Sequence, residues 1–353
     1  MKFRALSIGI AVLLMLIGIP LAMFVTAKVL PANPPARKME AQAAGYKISG
    51  PYTQGNLTIF LIHGQDTMGG QKFLTLSEAL DRKVVVVHET KDVNELAIEN
   101  VSSVDEVYVQ SGDIVKGGQQ DRVLAVDLIV PPRSGKIPIA AFCVEHGRWQ
   151  KRGSEAAGKF ESSNDRIASR DLKIATNATK SQGEVWDKVS ETQAKLSVNA
   201  EVTVTSNASA SSLQLSLENK KVKEMTGNYV KKLSGIIDGK SDVIGYAFAI
   251  NGKINSADVY GSSVLFRKLW PKLLKASAVE AIAELQKGAK FEEATAESVR
   301  TFFDEAEKGK ASDNEVTARV RMVTRETDKN VLFETRDEKQ KDAWLHRSYV
   351  MKQ

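Results

Sequence analysis

The chain has 353 residues, and 49 basic against 43 acidic side chains leave a formal charge of +6. Charges of both signs are interspersed, which describes a solvated mixed surface and not a basic stripe, so no nucleic-acid partner is expected. The one cysteine, Cys143, excludes an intramolecular disulfide and a paired-cysteine metal site; histidines at 63, 88, 146 and 346 have no ligand spacing, so no metal site is expected and no cofactor can be named.

In chain order, Lys2 and Arg4 precede an uncharged run over residues 5–25, with Val25-Thr26-Ala27 offering small side chains where a signal peptidase cuts. Residues 1–27 are read as a signal peptide or an N-terminal membrane anchor, because about 20 apolar residues cross a bilayer. Either way the rest is expected outside the cytoplasm, periplasmic or secreted, touching membrane only through this segment. Residues 28–44, with Pro31, Pro34 and Pro35, read as a tether, since proline resists helix and strand interior alike. A domain is expected over 45–290, followed at 291–353 by a C-terminal helix and strands.

Short apolar runs at 57–63 and 84–88 read as strands, separated by a small helix for which Thr75 and Glu78 form a capping box. Residues 122–130 and 137–145 are apolar on both faces, as in central strands, and the turn-rich link at 131–135 makes them expected partners. The N-terminal half therefore predicts a largely antiparallel sheet or barrel-like arrangement.

The second half is helix-rich. Ser181 and Glu184 cap a helix carrying Val185, Trp186, Val189 and Leu196, whereas 197–217 is weakly periodic and reads as loop or structure equally. Val222, Met225, Tyr229, Leu233 and Ile236 step at helical spacing toward Gly239. Residues 243–250 and 254–260 flank Asn251-Gly252, the pair that suits a type I′ hairpin turn. Ser262 caps a helix that Pro271 kinks or restarts before Leu285, and Val299, Phe302 and Phe303 mark a shorter helix. Strands are expected at 316–325, 331–336 and 344–351. Mixed order without regular βαβ repetition gives an α+β class.

Residues 112–123 (GDIVKGGQQDRV), 142–149 (FCVEHGRW), 258–262 (DVYGS) and 269–274 (LWPKLL) occur together in one order. On these segments the chain resembles the ARG-and-rhodanese-phosphatase-superfamily-associated protein domain family, from about residue 45 to 285. The family is named for its genomic company, ADP-ribosylglycohydrolase and rhodanese-phosphatase proteins. The resemblance implies ADP-ribose, nucleotide or RNA-end processing as the neighbourhood of its function, and no particular reaction.

The first two segments hold the candidate chemistry. Gly117 and Gly118 let backbone approach an anion, Gln119 and Gln120 supply amide donors, and Arg122 and Arg148 can grip a phosphate or carboxylate bidentately. Trp149 offers a stacking face, and Glu145 or His146 a general base. Against this stands an ion pair of Glu145 with Arg122 or Arg148 that would only fix a strand end. Cys143, beside a carboxylate, reads as a small buried hydrophobe, and Trp270-Pro271 as packing. No Ser-His-Asp order, catalytic carboxylate pair or zinc signature is recognisable. The leading expectation is a domain binding an anionic small molecule, nucleotide or ADP-ribose related. The alternatives are a hydrolase using Glu145 or His146, and an envelope scaffold with unknown protein partners.

Overall fold

The computed structural model describes residues 45–352 except 69, 91, 149–158, 168 and 341–342. The N-terminal segment and tether expected at 1–44, and Trp149, lie outside the described residues. Along the chain the strands and helices are β1 (Lys47–Gln54), β2 (Leu57–His63), β3 (Phe73–Thr75), α1 (Leu76–Asp81), β4 (Val85–Glu89), β5 (Glu95–Asn100) and β6 (Glu106–Val109). Next come β7 (Asp113–Gly117), β8 (Arg122–Leu124), β9 (Leu128–Val130), β10 (Lys136–Cys143), β11 (Phe160–Arg166), α2 (Arg170–Ile174) and α3 (Gln182–Ala200). There follow α4 (Leu213–Leu217), α5 (Lys220–Leu233), β12 (Val243–Ile250), β13 (Lys253–Tyr260), α6 (Ser263–Ala283) and α7 (Ala296–Glu307). The last strands are β14 (Lys310–Glu315), β15 (Val320–Glu326), β16 (Asn330–Asp337) and β17 (Trp344–Met351).

Among the described residues eight strands form the main sheet in the order β1-β2-β12-β13-β17-β16-β15-β14, six form a second (β11-β7-β8-β10-β5-β4), and three a third (β3-β6-β9). All pairs are antiparallel but β3 with β6. The fold is thus α+β with antiparallel sheets. The C-terminal strands set apart in sequence at 291 are built into the main sheet, β17 lying between β13 and β16. Burial explains this: β2 and β12 are buried along their whole length, so their sheet needs both faces covered. Helix α7 covers one face, its Val299, Phe302 and Phe303 packing with Phe60, Ile62 and Tyr349. Helix α6 covers the other through Phe266, Trp270 and Leu273 against Leu61, Tyr246 and Phe248. Buried throughout residues 276–283, the C-terminal part of α6 also lends Val279 and Ile282 to a second core with Val123, Phe142, Val185 and Leu196. It runs through Pro271 as one helix. No helix among the described residues is long and apolar enough to cross a membrane.

Local signals hold where local chemistry suffices. Thr75 and Glu78 close the capping box of α1, Ser181 and Ser262 cap α3 and α6, and Asn251 (φ 52°) and Gly252 (φ 76°) both take the left-handed conformation of a type I′ turn. The expected strand over 122–130 is divided instead. Arg122–Leu124 pairs with β10, while Leu128–Val130 leaves for the three-stranded sheet and pairs with β6. The break falls beside Asp127, whose buried carboxylate must find donors and finds them far along the chain.

Candidate functional site

The division of that strand aims Asp127 at one end of the main sheet. Its Oδ1 accepts the Ser111 amide at 2.8 Å, and its Oδ2 accepts the Thr335 hydroxyl at 2.7 Å and lies 2.7 Å from His346 Nδ1. His346, on β17, meets Asp258 of β13 with its other nitrogen, Nε2 to Oδ1, at 3.2 Å. Tyr260 stacks on the imidazole at 4.6 Å between centroids, 12° from parallel. From the other side, Lys173 of α2 brings Nζ to 3.4 Å from Asp258 Oδ2 and 3.2 Å from Ser256 Oγ. Arg166, at the end of β11, lies 3.8 Å from the same carboxylate and donates to the Ser111 carbonyl at 2.7 Å. A neighbouring pair, Lys272 with Asp113 at 2.9 Å, balances its own charge.

Asp127, Arg166, Lys173, Thr335 and His346 line a cavity of about 20 Å³, room for one water molecule, with Asp258 behind the three cations. Ser111, Val126, Asn177 and Ser348 form a half-buried rim, and Phe333 and Met322 form an apolar wall. Asn177 sits on a π-helical turn, Ala175–Thr179, that continues α2; such turns recur at functional sites. Three buried polar atoms in this neighbourhood, Arg166 Nε, Gln110 Oε1 and Tyr108 Oη, have no hydrogen-bond partner among the described residues. Buried polar groups ordinarily have one, so water or a ligand is the expected complement.

The electrostatics follow from burial and pairing. Burial opposes charge on His346, yet the two carboxylates outweigh it and raise its pKa to about 9, so both ring nitrogens carry protons at neutral pH. Burial alone would raise Asp127 and Asp258. His346 holds Asp127 below its usual value, while Lys173, His346 and Arg166 hold Asp258 well below the carboxylate range. Burial pushes the Lys173 amine down, against the pull of Asp258. A doubly gripped imidazolium has no lone pair to offer, so His346 works here as a fixed charge and not as a base. Three cations face two carboxylates, leaving one positive charge for a guest.

The residues singled out in sequence assemble elsewhere, and with each other. Gly117 (φ +110°) and Gly118 (φ +55°) are required by close approach: a Cβ on Gly117 would stand 2.6 Å from the Lys159 carbonyl oxygen, and one on Gly118 2.5 Å from the Phe160 ring. The Gly117 amide donates to Asp121 Oδ1 at 2.9 Å, and the exposed Gln119 gives its amide to Glu89 at 2.8 Å. Gln120 bridges, donating to the Glu145 carbonyl at 3.0 Å and accepting from Arg122 at 3.2 Å. Arg122, 1% exposed, also faces Glu89 at 3.7 Å. Arg148 Nε meets Glu145 Oε1 at 2.8 Å, and Glu145 Oε2 accepts the Asp121 amide at 3.2 Å. Burial would raise Glu145, but the Arg148 hydrogen bond overrides it and lowers the pKa. The His146 and Trp186 rings meet edge to face, 4.5 Å between centroids, and the Ser211 hydroxyl accepts from the His146 amide and donates to the His146 carbonyl. Cys143 is buried, and burial pushes its thiol pKa up.

Sequence reasoning missed Asp127, Arg166, Lys173, Asp258 and His346 as a set. The available signal was a charged residue inside an apolar strand, Asp127 in VLAVDLIV and Asp258 in INSADVY, where an unpaired charge is prohibitively costly. No group of His, Cys, Asp and Glu able to hold a metal occurs among the described residues.

No curated protein and no solved structure matches this chain. A family model does, over residues 45–350, which is nearly all of the described chain and reaches past the extent of about 285 expected from motifs. The chain belongs to the family of the ARG and Rhodanese-Phosphatase-superfamily-associated Protein domain.

Proposed function

We propose that the protein binds a small anionic molecule by its terminal oxyanion, carboxylate or phosphate, in the cavity of Arg166, Lys173 and His346. The observation that carries this reading is the excess of three buried cations over the two carboxylates that face them at one cavity. One oxygen of the oxyanion fills the water-sized cavity, and the remainder of the molecule lies across the rim at Asn177 and Ser348. A nucleotide or ADP-ribose-related ligand has such an end. The Gly117–Arg122 and Glu145–Arg148 segments favour a different role. Arg148 and Glu145 are already joined at 2.8 Å within a buried network, so a ligand there would have to dismantle a charge-assisted pair. That network supports a scaffold role, tying the end of β7 and the turn before β8 to the segment that follows β10.

Titration calorimetry of the full chain with inorganic phosphate, a nucleoside monophosphate and ADP-ribose tests the reading. Lys173→Met should weaken binding at least about tenfold, the loss of one charged hydrogen-bond donor, while Arg148→Lys leaves it unchanged. The reverse pattern would return the ligand to the Gly117 segment, and no heat with any anion would remove the proposal.

The uncharged run after Lys2 and Arg4 supports a place outside the cytoplasm for this domain. Cell fractionation should then recover the full chain with extracytoplasmic or membrane markers; recovery with cytoplasmic ones overturns the assignment.

A further inference from the structure

A second constellation lies at the edge of the main sheet and shares no residue with the cavity. Ser49 Oγ stands 2.7 Å from His63 Nε2, and His63 Nδ1 stands 3.0 Å from Asp242 Oδ1. Three adjacent strands supply the three groups. Ser49 belongs to β1, His63 ends β2, and Asp242 immediately precedes β12. The antiparallel register sets Ser49 opposite Leu61 and Lys47 opposite His63, so the serine and the imidazole lie two residues apart on the same face. Val243 pairs with His63, and the Gly64 amide donates to the Asp242 carbonyl at 3.0 Å, which fixes the aspartate beside the ring. An ionised carboxylate only accepts, so Nδ1 carries the proton toward Asp242 and, in the neutral ring, the Nε2 lone pair faces the serine hydroxyl. The hydrogen bond from His63 lowers the Asp242 pKa, keeping that carboxylate ionised.

The neighbourhood leaves the serine approachable. His63 is 8% exposed, the Asp242 side chain is 55% exposed, and Ser49 is half-buried. Among the described residues β1 is an outer strand, paired only with β2. An outer strand is a template on which an extended chain can be laid by main-chain hydrogen bonds.

We propose that Ser49, His63 and Asp242 form a nucleophilic triad that cleaves an ester or amide carbonyl of an extended chain presented along β1. Ser49 Oγ bonds to the carbonyl carbon while His63 Nε2 takes the hydroxyl proton, and the carbonyl electron pair moves to oxygen. Collapse breaks the bond to the leaving alcohol or amine, which takes that proton from His63. Water then repeats both steps on the acyl-serine, releasing the carboxylic acid and restoring Ser49. No oxidation state changes. Asp242 holds the ring in the tautomer that these steps need and stabilises the imidazolium that they create.

A fluorophosphonate reagent tests the triad, because it phosphonylates an activated serine with loss of fluoride whatever the natural acyl group. Intact mass of the full-length protein should show one phosphonyl group, mapped by peptide analysis to Ser49 and lost in Ser49→Ala. His63→Gln should slow labelling by about a hundredfold or more, and Asp242→Asn, at an exposed position where folding is least at risk, by about tenfold or more. Circular dichroism melting confirms that each variant is folded. Wild type left unlabelled, or Ser49 labelled at a rate that Asp242→Asn does not change, overturns the proposal. Neither result bears on anion binding in the cavity.

Discussion

Replacing Asp258 by Asn is expected to cost about 3–5 kcal/mol of folding stability, the range for leaving buried charge without its partner. Asp258 is fully buried and faces Lys173 at 3.4 Å, Arg166 at 3.8 Å and His346 at 3.2 Å. The amide keeps the shape and removes the charge, leaving three cations with Asp127 alone. A domain stable by about 5–15 kcal/mol would be brought close to unfolding. The loss should also depend on pH with a recognisable sign. Lys173 and His346 can shed protons to relieve the imbalance, so the gap between variant and wild type should narrow as pH rises. Urea denaturation at pH 6 and pH 9 measures both effects. Removing the exposed partner of Lys188, Glu191→Gln, should shift stability by less than about 0.5 kcal/mol, as for surface pairs generally. Equal effects from the two substitutions would mean that the cluster is not a tightly coupled buried network.

The wild-type protein should itself lose stability on the alkaline side. His346 has its pKa raised from 6.5 to about 9 in the folded state. A raised pKa means that the folded state holds the proton more tightly. Its contribution is therefore complete below 6.5 and disappears as pH rises through about 9. The difference corresponds to roughly 3 kcal/mol between pH 6 and pH 9.5. The same ion contacts raise His346 and lower Asp127 and Asp258, so this energy is counted once and not three times. His346→Gln should flatten this limb. Glu280 acts in a lower window: burial, with Glu284 and Asp171 adding to it, raises its pKa from 4.5 to about 7. Its contribution is full below 4.5 and is lost by about 7, so Glu280→Gln should remove that earlier decline. Unfolding free energies at half-unit pH intervals separate the two windows, and a curve flat from pH 6 to 9.5 would rule out a charged, doubly bonded His346.

The caps at Thr75, Ser181 and Ser262 and the Asn251-Gly252 turn were legible because each rests on donors and acceptors within a few residues. The strand at 122–130 was not. Its apolar alternation is genuine, but Asp127 takes its partners from Ser111, Thr335 and His346, 16, 208 and 219 positions away. The segments richest in functional residue types, Gly117–Arg122 and Glu145–Arg148, drew attention for their composition, and composition does not say whether an arginine has a carboxylate already. Here Arg148 has Glu145. The serine–histidine–aspartate arrangement had no legible order either, since His63 and Asp242 are 179 residues apart and meet only because β2 and β12 are neighbours.

By itself, then, the sequence determined the α+β class, the positions of the capped helices and hairpin, and the family resemblance carried by its motifs. These depend on periodicity and short-range hydrogen bonding, which a linear string records. Which charges meet was decided by the tertiary structure alone, because burying an ion is tolerable only beside its counter-ion, and sheet order, not spacing along the chain, chooses the neighbour.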